Sequence, residues 1–152
     1  MALIDYGAGN LTSVRKGFEA AGAELYTPTT PGDLEEAAGI VVPGVGHFAA
    51  TASLDEGWRA RILGRVNIGI PLFGICLGMQ WLFDGSTEAP GVPGLGVFRG
   101  LCTRIEASRP LKVPHVGWNT LSLSGESALL DGVAPDAHVY FTHAYAAPVT
   151  NE

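Results

Sequence analysis

Charge is scarce in this chain. Only 16% of its 152 residues are charged, and nine Lys and Arg stand against fifteen Asp and Glu for a net charge of −6. So few cations do not make the basic face that a nucleic-acid binder needs. Cysteine is scarcer still, with Cys76 and Cys102 alone. Two cysteines in apolar surroundings make no disulfide framework and point to a reduced, cytoplasmic protein. Long apolar runs are also missing. None approaches the roughly 18 to 20 residues that span a bilayer. The start, Met1-Ala2-Leu3-Ile4-Asp5, has no basic region and meets an acid early, unlike a signal peptide. There is no Gly-X-Y period, internal repeat or low-complexity tract, so the 21 glycines and 10 prolines are not those of a fibrous chain. What is present is a 47% hydrophobic composition. That excludes intrinsic disorder, and the length suits one domain with a sizeable core.

The apolar residues come in two alternating patterns. Ala2 to Tyr6, Gly39 to Val42 and Ile70 to Ile75 are short continuous runs that predict buried strands. Between them lie helical patterns. Asn10 is a good N-cap for a helix from Leu11 to about Ala21, with Leu11, Val14, Phe18 and Ala21 on one stripe and Gly22 at its C′ position. A short strand is expected at Ala23 to Thr27. The acids Asp33, Glu35 and Glu36 favour a weak helix over Asp33 to Ala38. Leu54 to Leu63 and Leu77 to Phe83 also read as helices. Alternating strands and helices imply parallel βαβ units. Asp84 to Gly100, rich in Gly and Pro, reads as mostly loop. Strand-like pieces at Leu101–Ile105, Val116–Thr120 and His138–Phe141 suggest antiparallel additions in the second half. No domain boundary is visible.

The segment that carries chemistry is Gly74-Ile75-Cys76-Leu77-Gly78-Met79-Gln80. A strand leads in, a helix leads out, and a cysteine sits at the joint. This is the cysteine counterpart of the G-x-S-x-G nucleophile elbow. Flanking glycines let neighbouring backbone approach without a Cβ clash. A thiol near a helix N-terminus is biased toward thiolate. The Leu77 amide is placed to donate to an oxyanion. The bland alternative is a cysteine that merely fills core, but the glycines on both sides weigh against it. Pro43-Gly44-Val45-Gly46 closes another predicted strand. Ligands in such sheets bind beyond the carboxyl ends of the strands, so both glycine turns should open on one edge. By itself this second segment reads sooner as a plain β-to-α turn than as an oxyanion-binding backbone.

Together these residues resemble a known family. Gly74 to Gln80 is similar to the nucleophile motif of class I (triad-type) glutamine amidotransferases. Ile4-Asp5-Tyr6-Gly7-Ala8-Gly9-Asn10-Leu11 resembles the amino-terminal signature of one branch, the glutaminase subunits of imidazole glycerol phosphate synthase. Pro43 to Phe48, Lys112-Val113-Pro114-His115-Val116-Gly117-Trp118-Asn119 and Tyr140-Phe141-Thr142-His143-Ala144-Tyr145 resemble its second, third and fourth signatures. The blocks occur in order across nearly the whole chain. A different elbow-cysteine enzyme, such as a deglycase or protease relative, would not carry the branch blocks.

The resemblance implies an α/β, flavodoxin-like fold: a central, mostly parallel sheet with flanking helices in a single amidotransferase domain. It implies hydrolysis of L-glutamine to glutamate and ammonia through a thioester on Cys76. The oxyanion is then held by the Leu77 amide and by Val45 or Gly46. Gly46, Gln80, Ala144 and Tyr145 orient the substrate. Ammonia passes to a (β/α)8-barrel cyclase, with Asn10, His115 and Trp118 on the face toward it. Neither metal nor organic cofactor is implied, and His143 and Cys102 read as structural. One element of the pattern is absent. The family takes its base and orienting acid from a His-Pro-Glu motif near its C-terminus. Here His47, His115, His138 and His143 lie in no His-x-Glu context. The expectation is therefore a chain truncated relative to the family, with little activity as it stands. The alternative is a non-catalytic module that binds the cyclase.

Overall fold

A computed structural model describes residues 1–107, 112–122 and 127–149; the terminal Thr150-Asn151-Glu152 lies outside the described residues. The chain forms two compact units, Met1–Arg104 with Ala146–Glu152, and Ile105–Tyr145.

The first unit is built on three parallel strands, β1 (Ala2–Leu3), β2 (Ile40–Val42) and β3 (Leu72–Gly74), in that spatial order. The register pairs Ala2 with Ile40 and Val42 with Gly74. The apolar runs are longer than these ladders, yet the backbone stays paired past their ends. The Ile4 amide donates to Val41 O at 2.9 Å, and the Ile75 amide to Val42 O at 2.9 Å. The strand expected at Ala23 to Thr27 shrinks to a single parallel bridge between Tyr26 and Ala2. Pro28 follows Tyr26 closely and offers no amide to extend a ladder.

Alternation along the strands sends side chains to two faces. Ala2, Ile4, Ile40 and Val42 join the main core with Leu34, Phe48, Leu54, Ile62, Leu77, Trp81 and Leu95, all buried. Phe73 points to the opposite face, where its ring meets Phe18 edge-on at 6.2 Å. Helix α1 (Leu11–Ala20) therefore covers that side. Its ends are set as the sequence predicts. Asn10 Oδ1 accepts from the Ser13 amide at 3.0 Å. At the other end, Gly22 (φ +83°) lets the Ala23 amide reach Phe18 O and its own amide reach Glu19 O, a Schellman motif. No residue of α1 is fully buried, so the predicted stripe is only half covered.

Three helix expectations need correction. The weak helix at Asp33 to Ala38 is a 3-10 turn at Pro31–Leu34. Pro31 starts it, and the Asp33 carboxylate accepts from the amides of Thr29 and Thr30 and from both hydroxyls, which winds the turn tightly. The helix expected at Leu54 to Leu63 is α2 (Glu56–Asn67), shifted toward the C-terminus. A 3-10 segment (Phe48–Ser53) occupies the chain before it, and Asp55 caps α2 by accepting from the Trp58 amide at 3.1 Å. Helix α3 (Leu77–Trp81) is shorter than predicted. The glycine-rich stretch contributes β4 (Gly85–Ser86), parallel to β5 (Leu101–Arg104).

The second unit is an antiparallel pair, β6 (His115–Thr120) and β7 (His138–His143), with Trp118 opposite Tyr140 and Gly117 opposite Phe141. Among the described residues no helix is long and apolar enough to cross a membrane.

Candidate active site

Cys76 stands between β3 and α3 with φ 53° and ψ −109°, the sole non-glycine residue at positive φ among the described residues. Such a conformation costs of order 1–3 kcal/mol and persists only where its surroundings force it. The surroundings are visible. A Cβ on Gly74 would lie 2.5 Å from the Met79 Cα, and one on Gly78 would overlap the Val42 carbonyl oxygen. The G-x-C-x-G spacing is thus a demand for space: the outgoing helix crosses directly over the incoming strand and the end of β2. The thiol at the crossing is exposed, whereas Cys102 is buried. Burial pushes the Cys102 thiol up to about 11, and it donates to Gln80 O at 3.6 Å instead of facing solvent.

The Pro43–Gly46 loop leaves the end of β2 and meets the same crossing. Gly44 packs so closely that a Cβ there would overlap the Tyr6 hydroxyl and sit 2.9 Å from Leu77 Cβ. The two glycine turns therefore open on one edge of the sheet. Their amides differ. The Leu77 amide is engaged, donating to Gly44 O at a long 3.4 Å. The amides of Val45 and Gly46 have no acceptor among the described residues, and both residues are exposed. Gln80 is buried, 7% exposed, one turn beyond Cys76 on α3.

Two further residues come to this edge of the sheet. Tyr6 reads from the sequence either as a strand end or as part of a site. Its hydroxyl donates to Pro43 O at 2.7 Å, and burial together with the nearby Cys76 pushes its pKa up to about 12. Glu88, from the glycine-rich stretch, accepts from the Phe48 amide through Oε2 at 2.7 Å, immediately after the loop. Only its place in the three-dimensional fold marks Glu88 out. Tyr6 had a signal, since it lies inside the Asp5–Asn10 block.

No histidine among the described residues hydrogen-bonds the Cys76 thiol. His47 Nδ1 instead accepts from the Ala49 amide at 3.1 Å. In the second unit, Asn119 Nδ2 contacts His115 Nε2 at 2.6 Å, His115 Nδ1 contacts His143 Nε2 at 3.1 Å, and His143 Nδ1 contacts Tyr145 O at 2.9 Å. An amide nitrogen only donates and a carbonyl only accepts, so the chain has one consistent direction with both imidazoles neutral. It ends on the Ala144-Tyr145 backbone, where Ala144 O accepts from the Ile105 amide at 2.8 Å. The opposite face of the ribbon is open: Val116, Trp118 and Tyr140 are 56%, 67% and 54% exposed. Asn10 is held by its capping bond to Ser13. Among the described residues no cluster of His, Cys, Asp and Glu could hold a metal ion.

Residues 2–152 match the profile of the family "Glutamine amidotransferase class-I". A solved structure titled "Crystal structure of glutamine amidotransferase" superposes with a TM-score of 0.70 at 20% identity, covering 93% of this chain and 70% of that one. The chain belongs to the class-I glutamine amidotransferases, and its α/β fold is theirs. Within that family it is similar to "Imidazole glycerol phosphate synthase subunit HisH" of Deinococcus radiodurans, at 46% identity over 97% of this chain and 69% of the relative. The protein of the same name from Methanothermobacter thermautotrophicus is 43% identical, over 100% of this chain and 75% of its own length. "Imidazole glycerol phosphate synthase hisHF, chloroplastic" of Arabidopsis thaliana is 40% identical, over 100% of this chain and 26% of that protein.

Proposed function

We propose that this chain is the glutaminase subunit of an imidazole glycerol phosphate synthase, working in the cytoplasm for histidine biosynthesis. The observation that carries the chemistry is Cys76 held at positive φ, exposed, at a strand–helix crossing built from glycines. The Cys76 thiolate attacks the side-chain amide carbon of L-glutamine. The tetrahedral intermediate collapses, the C–N bond breaks, and the nitrogen takes up the proton that the thiol had released and leaves as ammonia. Water then hydrolyses the glutamyl thioester to glutamate and frees the thiol. The oxyanion of each tetrahedral species is taken by the Val45 or Gly46 amide, with the Leu77 amide joining once its long bond to Gly44 O is released. Gly46 and the Gln80 side chain orient the substrate; within the second unit the His115–His143 chain holds the Ala144-Tyr145 backbone in place.

The partner is a (β/α)8-barrel cyclase that consumes the ammonia. The open apolar face of Val116, Trp118 and Tyr140 supports a docking surface, since aromatic residues of this kind anchor interfaces. His115 and Asn10 are further candidates for contact with the cyclase. A binding module without chemistry has no observation in its favour, because a strained cysteine elbow serves no purpose in one.

The test is covalent labelling of the native subunit, assembled with its cyclase, by a glutamine-like electrophile. The expected result is an adduct on Cys76 that excess glutamine prevents. Labelling that glutamine does not slow, or labelling confined to Cys102, would overturn the proposal.

A further inference from the structure

Tyr6 sits in the first signature block, but what it touches belongs to the active site. Its ring is buried, with 9% exposure. Its hydroxyl donates to Pro43 O, and its own carbonyl accepts from Ser53 Oγ at 3.0 Å. The adjoining turn reinforces this contact: a Cβ on Gly9 would lie 3.3 Å from both N and Cα of Gly44. Asp5 to Gly9 therefore forms the floor beneath the Pro43–Gly46 loop.

Consider the loop as a chain of peptide planes. In a trans peptide the carbonyl and the following amide point in opposite directions. Holding Pro43 O on the buried hydroxyl therefore turns the Gly44 amide away from Tyr6. The next carbonyl, Gly44 O, is held by the Leu77 amide. The Leu77 amide gives up that 3.4 Å bond when it turns to the oxyanion, so of these two carbonyls it is Pro43 O that keeps its anchor throughout. Beyond them come the exposed Val45 and Gly46, whose amides have no acceptor among the described residues.

We infer that Tyr6 is a positioning residue for glutamine hydrolysis: its hydroxyl fixes the Pro43–Gly44 peptide, and so aims the oxyanion-binding amides of the loop at the carbon that Cys76 attacks. The inference deepens the glutaminase reading and rests on it. Tyr6 does not touch the reacting atoms. Because its pKa is pushed up to about 12, the hydroxyl keeps its proton at every pH where the enzyme works. Below that value it stays a donor.

The test is Tyr6→Phe in the native subunit bound to its cyclase. The ring and its packing remain while one hydroxyl is lost. Two rates are read from the same preparation. Glutamine hydrolysis needs the oxyanion amides, whereas alkylation of Cys76 by iodoacetamide needs only the thiolate. Expected is a fall in kcat of about tenfold, smaller than loss of a direct oxyanion donor. KM for glutamine and the alkylation rate should stay within about twofold. Ser53→Ala, which frees the Tyr6 backbone from outside the core, should give a smaller fall of the same kind. It also keeps the inference testable where Tyr6→Phe does not fold. An unchanged kcat overturns the inference while leaving the glutaminase reading intact. So does a parallel fall in kcat and alkylation, which marks general collapse of the site. Wild-type protein that hydrolyses no glutamine overturns both.

Discussion

Asn10 has two roles open to it, and they can be separated by one pair of substitutions. It caps α1 through its side chain, and it is proposed to meet the cyclase. The cap is visible as the 3.0 Å bond from the Ser13 amide. Removing such a cap with alanine costs about 1 kcal/mol, whereas glycine in its place costs only a few tenths. Helix α1 is ten residues long and has no fully buried residue, so little tertiary packing compensates. For a chain of this size, about 1 kcal/mol lowers Tm by roughly 3 °C. Asn10→Ala should therefore melt about 3 °C lower by circular dichroism at 222 nm, and Asn10→Gly within about 1 °C of wild type. Affinity for the cyclase, measured by calorimetry, is the second readout. If the side chain also meets the partner, Asn10→Gly weakens binding as much as Asn10→Ala does, despite its near-normal Tm. Equal losses of Tm in the two variants would refute the capping argument.

Three further outcomes are expected. Cys76→Ala and Cys76→Gly should both abolish glutaminase activity, but the glycine variant should be the more stable by about 1 kcal/mol, because only it relieves the backbone at φ 53°; equal urea midpoints would contradict this. Tyr6 contributes stability that is fully present below its ordinary pKa of 10.0 and is lost as pH rises through about 12, since only the unfolded chain ionises readily in that window. Alkaline unfolding should therefore be steeper for wild type than for Tyr6→Phe across pH 10 to 12, and identical curves would count against it. Trp118 is 67% exposed, so Trp118→Ala should leave Tm within about 1 °C of wild type yet raise the cyclase Kd by at least tenfold; an unchanged Kd would remove this residue from the interface.

The parts of the fold legible in the sequence were those fixed by local rules. Asn10 and Gly22 bracket α1 because capping chemistry depends on a few neighbouring residues. The strand–elbow–helix around Cys76 was readable because its glycines answer a short-range steric demand. Elements decided by one particular side-chain or strand contact rather than by composition were misplaced. The acids at Asp33 to Glu36 suggested a helix, but the Asp33 carboxylate turns back onto Thr29 and Thr30 and makes a tight turn instead. Tyr26 shows β-type residues left with one bridge. At the site, Cys76 and its two loops could be read from spacing. The Tyr6 hydroxyl and the Glu88 carboxylate could not, because their partners, Pro43 and Phe48, are distant in sequence and are brought near only by the tertiary fold.

The crowding around the elbow bears on how sequence variation in this protein should be interpreted. Gly44, Gly74 and Gly78 have no side chain and do no chemistry, yet each position has atoms where a Cβ would go. In a saturation screen scored by growth without histidine, these three will tolerate as little as the nucleophile itself. The losses differ in kind. Cys76 variants should accumulate as folded, inert subunits that still occupy the cyclase and act dominantly when overexpressed. Variants at the crowded glycines should fail to accumulate and act recessively. A genetic screen that records dominance can therefore tell the reacting atom from the space made for it, without a single kinetic measurement.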